Sequence, residues 1–234
     1  MRVRSIATIP KPVVLLIFLG MSAQIFWHSV QPDNRAQAQD LVSSPSVSSW
    51  QLLSLGDPVF LAKILMLWLQ AFDNQPGVSV PYNDLDYDKV EGWLGAILQL
   101  DPGGQYPLLA ASRLYAQVPD EAKQRQMLEF VYQQFLIDPQ NRWPWLAHAS
   151  IVAKHRLKDL PLALKFSRAI VDKSTSNGIP AWASQLQLLV LEDMGELETM
   201  QFLIGGLLTS GKITDPKEIS FLNQRLQALN KKIN

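Results

Sequence analysis

"LDPGGQYPLLA" occupies residues 100–110 and "IDPQNRWPWLA" occupies residues 137–147. Each reads aliphatic, Asp-Pro, three variable residues, aromatic, Pro, variable, Leu-Ala, and the copies lie 37 residues apart. A residue before proline is pushed out of the α region, so Asp101 and Asp138 are expected to end helices. Proline fits the first turn of a helix, so Pro107 and Pro144 are expected to begin the next ones. A weaker third copy is "NGIPAWA" at 177–183, where Pro180 follows Pro144 by 36 residues. Two helices per unit at a period of 36–37 predict an all-α chain, a right-handed stack of about four helical hairpins in an α-solenoid. One hairpin cannot bury its own apolar stripe, so stacking must supply the core.

The same punctuation places the other helices. Asp57-Pro58 starts one that runs to about Phe72: Asp caps free N–H groups and Pro fits the first position. Asp86-Tyr87-Asp88 opens the next, with Glu91 three residues after Asp88 as in a capping box. Its Val90, Trp93, Leu94, Ile97 and Leu98 fall on one face. Further helices are expected over about 107–117, 119–137, 143–156, 159–173, 180–194 and 196–209. A last helix starts at Asp215-Pro216, with Glu218 completing the cap, and ends in Lys231-Lys232, which suit the negative end of its dipole. The only β-like stretch is "GVSVPY" at 77–82, closed by Pro81.

Several segments resemble the tetratricopeptide-repeat family. "ILQLDP" and "QFLIDP" look like the end of its second helix. "KHRLKDLPLALKFSRAI" at 154–170 looks like its turn and second helix, with Ala163 at the small packing position. "EDMGELETMQFLIGG" is similar to the same region, and the likeness covers about residues 57–210. The period here exceeds the family's ~34 residues, and Met127 and Met200 stand where a small residue is usual. The resemblance implies a protein-binding scaffold that uses a concave face lined by first helices.

The N-terminus adds a second theme. Arg2, Arg4 and Lys11 precede an apolar run from Val13 to Trp27, broken only by Ser22 and Gln24 among polar side chains. Positive charge ahead of such a run holds the start of the chain in the cytoplasm. The expectation is a signal anchor or transmembrane helix over 1–28, a flexible tether over 29–49 and a repeat domain over 50–234. That organisation places the protein in a bacterial inner membrane, single-pass, with the repeats in the periplasm. Ala36-Gln37-Ala38 has the form of a cleavage site, so a soluble periplasmic form ending its leader near Ala38 is the alternative. Pro12 and Trp27 fit the two ends of a retained helix.

Composition narrows the chemistry. The chain has 234 residues, no cysteine and a formal net charge of zero. Disulfides, cysteine-based metal sites and thiol catalysis are excluded, and nucleic acid is not an expected partner. Residues 41–120 carry eight acids and three bases, while 121–234 carry eleven acids and fourteen bases, so charge shifts from acidic to basic along the chain. His148 and His155 share a helix face but stand ~10 Å apart along it, too far for one metal. Counted from Asp84, a calcium loop would need Gly at 89 and Glu at 95, where the chain has Lys89 and Gly95. No Ser is tied to a His and an acid in a known pattern, and neither Gly103-Gly104 nor Gly205-Gly206, the latter near Lys212, has phosphate-loop flanks. No catalytic residue, metal or cofactor is expected, and the chain is read as a non-enzyme.

Binding candidates remain. Tyr106, Trp143, Trp145 and Trp182 fall at the starts of successive first helices. They are either core wedges between hairpins or an aromatic edge that grips a peptide or a glycan. A basic hairpin, Lys154, Arg156, Lys158, Lys165, Arg168 and Lys173, is either a solvated face or a surface for an acidic partner or anionic membrane. Gln105, Arg113 and Lys154 are first-helix polar residues placed to meet a peptide or protein. "PVFLAKILMLWLQAF" at 58–72 has only Lys63 and Gln70 as polar residues. A helix so apolar must be covered, by the tether folding back, by a partner or by the bilayer surface, and Phe60, Leu67 and Trp68 are its candidate partner-binding residues. The resulting expectation is a membrane-tethered scaffold or assembly factor that holds another envelope protein. A glycan- or polymer-binding module of an envelope secretion machine, using the aromatic edge, is the alternative.

Overall fold

A computed structural model describes residues 10–30, 37–174, 179–211 and 213–233. Arg2, Arg4, Ala36, Asn177, Gly178 and Lys212, which entered the sequence reading, lie outside them. The chain divides into two compact units. The first holds α1 (Lys11–Val30), a 20-residue helix with no buried residue. It is long and apolar enough to cross a membrane. Pro12 lies in its first turn.

The second unit is almost wholly helical. Its helices are α2 (Val47–Leu53), α3 (Pro58–Ala71), α4 (Tyr87–Leu100), α5 (Tyr106–Arg113), α6 (Glu121–Ile137), α7 (Pro139–His155), α8 (Leu160–Lys173), α9 (Ala181–Ser184), α10 (Leu186–Met194), α11 (Leu197–Thr209) and α12 (Pro216–Ile233). Among the described residues, the strands are β1 (Asn74–Gln75) and β2 (Val78–Ser79), each two residues long. Helices pack mainly on sequence neighbours: α3 on α4, α5 on α6, α6 on α7, α7 on α8, α8 on α10, α10 on α11, and α11 on α12.

Local chemistry explains most boundaries. Asp57 accepts the amide of Phe60 at 2.9 Å, and Asp159 accepts that of Leu162 at 2.8 Å. Asp120 caps α6 through Ala122 and Lys123. A cap of this kind contributes about 1 kcal/mol. Gly195 ends α10 at φ 74°, with its amide on Glu192 and that of Glu196 on the Leu191 carbonyl, a left-handed stop that favours glycine. Two expected caps differ. Asp86, not Asp88, caps α4, and Glu91 instead accepts the Gln126 amide of α6 at 3.1 Å. Glu218 accepts from Gln185 at 3.1 Å rather than completing the cap that Asp215 makes with the Lys217 amide at 2.9 Å.

The two copies of the opening frame fold differently. In the first, the Gly104 amide turns back onto the Asp101 carbonyl at 3.0 Å, and α5 starts five residues after Asp101. A β-carbon on Gly104 would lie 3.0 Å from that carbonyl, a tight contact that favours glycine in the turn. In the second, Gln140-Asn141 replace the glycines. Asp138 then caps a helix directly, accepting the Asn141 amide at 3.3 Å, and α7 begins at Pro139. Pro144 is therefore inside α7, not at its start. The expected helix over 107–117 also breaks, into α5 and a 3-10 turn at Tyr115–Gln117, and that over 180–194 divides at Gln185.

The core runs continuously through the second unit. Leu94, Leu108, Tyr115, Met127, Phe135, Leu146, Phe166, Ile170, Leu191 and Met200 are all buried below 2% exposure. Each such side chain contributes about 2–3 kcal/mol relative to exposure. Ala110, Ala111, Ala149, Ala153 and Ala163 are fully buried where helices approach closely. Met127 and Met200 fill positions where a small residue was expected, because an unbranched thioether threads narrow gaps.

The stretch expected as a tether changes character from residue 39 on. Gln39 exchanges two hydrogen bonds with the Gln75 side chain, at 2.6 and 2.8 Å. Leu41 is 2% exposed, and the Val42 carbonyl accepts the Trp93 indole N–H at 2.8 Å. This arm leads into α2, whose Trp50 ring lies 5.5 Å from that of Trp93. The arm lies against α4, and α2, to which it leads, packs on α4 and more lightly on α3.

Candidate binding surface

Polar side chains brace each helix to the one a repeat away. On first helices, Gln70 donates to the Tyr106 hydroxyl at 2.7 Å, Trp145 donates to Gln105 at 2.6 Å, and Lys154 pairs with Asp193 at 2.9 Å. On second helices, Gln126 reaches Asp88 at 2.8 Å, Lys165 pairs with Glu129 at 2.9 Å, and Arg125 pairs with Asp159 at 2.6 Å. These partners are 34 to 40 residues apart, close to one period. Exposed ion pairs are worth only ~0.2–1 kcal/mol each, so their main effect is to fix helix register.

Arg142 is the most buried of these braces, at 3% exposure. It donates to the Gln134 carbonyl and side chain at 2.9 Å and to the Pro102 carbonyl at 3.1 Å. Burial lowers its pKa, opposed by Asp138. It sits one residue before Trp143 in the second copy of the frame, and Gln105 holds the same place in the first.

Trp143 meets Trp182 edge-on at 5.7 Å, and both Trp143 and Trp145 are half-buried against the core. Tyr106 and Trp182 keep 48% and 52% of their surfaces exposed. The aromatics thus link successive first helices in pairs rather than as one exposed ladder. Lys154 and Gln105 are engaged, whereas Arg113 is exposed. Arg156 is tied to the Gln117 side chain at 2.8 Å. Within the basic hairpin, Lys158, Arg168 and Lys173 are exposed cations that make no ion pair among the described residues.

His148 is half-buried, with its Nε2 lacking a partner and a backbone hydrogen bond to Ser112. Burial first, and then Arg113, push its pKa down. Among the described residues, no group of three His, Asp or Glu is placed to hold a metal.

The outer face of α3 stands apart. Ala62, Leu65, Met66 and Leu69 are buried, but Phe60, Ile64 and Leu67 are exposed by 61%, 44% and 67%. With Ala71, they form a stripe at spacings of four, three and four, the spacing of a coiled-coil seam. Trp68 belongs elsewhere: its ring lies 4.6 Å from Trp93 and 5.4 Å from Phe72. By contrast, α12 at the other end of the chain buries Leu222 and Leu229 and faces outward mainly with Asn223, Gln224 and Gln227, beside a 45% exposed Phe221.

One feature lay outside the sequence reading. An open groove of about 690 Å³ runs between the arm at 43–47 and helices α4 and α6. Gly92, Gly95 and Ala96 form its floor, with Gln99, Gln133 and Gln134 along it. Two glycines inside a helix, three apart, were the available signal, since each costs about 1 kcal/mol there. Compared with protein-family models, curated proteins and solved structures, the chain matches none of them.

Proposed function

We propose that this chain is a membrane-tethered protein-binding scaffold, non-catalytic, held in a bacterial inner membrane by α1 with its helical domain in the periplasm. The domain is read as a right-handed tetratricopeptide-like stack of about four hairpins. Helices α3/α4, α5/α6, α7/α8 and α9–α10/α11 are its units and α12 is its end cap. The period of the polar braces supports that reading. The carrying observation is the unequal pair of ends: α12 turns mainly polar residues outward, with Phe221 and Ile233 partly exposed among them, while α3 leaves the contiguous stripe Phe60, Ile64 and Leu67 in water. Stacked repeats normally end in a polar cap. The uncovered α3 stripe is where a preceding hairpin would lie, so a helix of a partner envelope protein completes the stack there. Tethering through α1 raises the effective concentration of a partner in the same membrane.

The polymer-binding alternative gains nothing from the tryptophans, because Trp143 and Trp145 are spent on packing and on Gln105. The test is crosslinking in native membranes followed by mass spectrometry, with full-length protein beside a Phe60→Gln/Leu67→Gln variant. Trp68 is left intact because it supports the fold. Specific envelope proteins that the variant loses are the expected result. Equal recovery with both proteins would remove α3 as the binding face.

A further inference from the structure

The turn between α2 and α3 carries an exposure that packing does not explain. Leu52, Leu53 and Leu55 are exposed by 82%, 59% and 95%. Leu55 stands in the left-handed region at φ 50°, a conformation that a side chain with a β-carbon rarely adopts. Gly56 follows at φ 96°, and Asp57 then caps α3. The backbone is thus bent so that a leucine projects almost wholly into solvent. From Leu41 to Gly56 the chain has no charged residue. The inner side of α2 is accounted for by Trp50 against Trp93.

We propose that this leucine knuckle inserts into the lipid interface of the membrane entered by α1; the proposal rests on the anchor reading of that helix. Three observations favour lipid over protein as the occupant. First, the feature is convex. A side chain 95% exposed has almost no neighbours, so a protein would need a matching pocket, whereas the acyl boundary needs none. Second, the chain is short between the two places. Only nine residue steps separate Val30, the last residue of α1, from Gln39, the first residue bonded to the helical body. Fully extended, that is about 30 Å. Third, charge fits. The first cation beyond the knuckle is Lys63, exposed on α3, and a lysine near an anionic interface is favourable. The knuckle would hold the body against the bilayer and set the direction in which the α3 stripe faces.

The absence of native cysteine allows site-specific labelling of the intact chain. Single-cysteine variants Phe18→Cys, Leu55→Cys and Phe202→Cys would carry an environment-sensitive fluorophore. Each full-length protein is reconstituted in phosphatidylcholine/phosphatidylglycerol vesicles containing nitroxide-bearing lipid. Phe202, on α11, is 81% exposed and serves as an apolar surface control. The expected result is a blue-shifted emission and several-fold stronger quenching at position 55 than at position 202, with position 18 quenched as well. Quenching at 18 but not at 55 would overturn the knuckle proposal and leave the anchor reading intact. No quenching at either 18 or 55 would overturn both. A label at 55 that is silent in vesicles but shielded in native membranes would assign the knuckle to a protein and also overturn the proposal. Leu55→Ser keeps the β-carbon, so the left-handed backbone cost is unchanged and only the apolar side chain is lost; it should keep the fold while releasing position 52 from the bilayer.

Discussion

The indole of Trp93 on α4 donates to the carbonyl of Val42, 51 residues earlier, at 2.8 Å. Around that bond, Trp50 and Trp68 close on the Trp93 ring at 5.5 and 4.6 Å. One buried tryptophan therefore joins the arm, α2, α3 and α4.

Trp93→Phe keeps most of the apolar contact and removes the donor. The expected cost is about 1 kcal/mol, with faster amide exchange in residues 39–46 as the main change. Hydrogen exchange read by mass spectrometry checks it. Unchanged exchange in the arm would mean that Leu41 and Gln39 hold it without the indole.

Arg142 presents its guanidinium to two carbonyls from different helix ends, those of Pro102 and Gln134. Arg142→Met should leave both carbonyls unpaired in a buried site and lower stability by about 3 kcal/mol in urea unfolding. Arg142→Lys retains charge but not the planar fork, and should recover less than half of that loss. Full recovery by lysine would show that charge rather than geometry matters here.

The glycines should separate by their surroundings. Added β-carbons at Gly92 and Gly205 meet nothing within 4 Å, so Gly92→Ala and Gly205→Ala should each stabilise by about 0.8–1 kcal/mol. Gly104→Ala places a methyl 3.0 Å from the Asp101 carbonyl and should destabilise by at least about 1 kcal/mol. Thermal midpoints of the three variants test the contrast. A stabilising Gly104→Ala would show that the Asp101 turn yields easily.

His148 predicts a stability loss on mild acidification. Its folded pKa lies below the ordinary value of 6.5, through burial and the neighbouring Arg113. The unfolded chain thus binds the proton more readily, and stability falls as pH drops below about 6.5. Asp159 acts separately. Its backbone hydrogen bond from Leu162 and the Arg125 pair hold its carboxyl below the usual range, so its contribution is lost only at lower pH. His148→Gln should flatten the melting curve between about pH 5 and 7 and leave the steeper acid limb. Arg113→Gln should raise the His148 titration midpoint seen by NMR. A pH profile identical in His148→Gln would rule out this histidine as its source.

Sequence by itself determined what depends on three or four consecutive residues. Asp57-Pro58, Asp120 and Asp159 each cap the helix that follows, because a carboxylate reaches the amide two or three residues on. The apolar length of α1 and the unusual apolarity of α3 were equally legible. The start of α7 was not: Gln140-Asn141 in place of two glycines move the helix back to Pro139 and take Pro144 inside. Tertiary structure alone decided what Lys154, Gln105 and Trp145 do, since Lys154 pairs with Asp193 across 39 residues and Trp145 donates to Gln105 across 40. It also decided that the arm covers Trp93 and leaves Phe60 and Leu67 bare. Caps are set by backbone geometry within one turn. Pairings between helices are set by how whole helices pack, and no local pattern contains that angle.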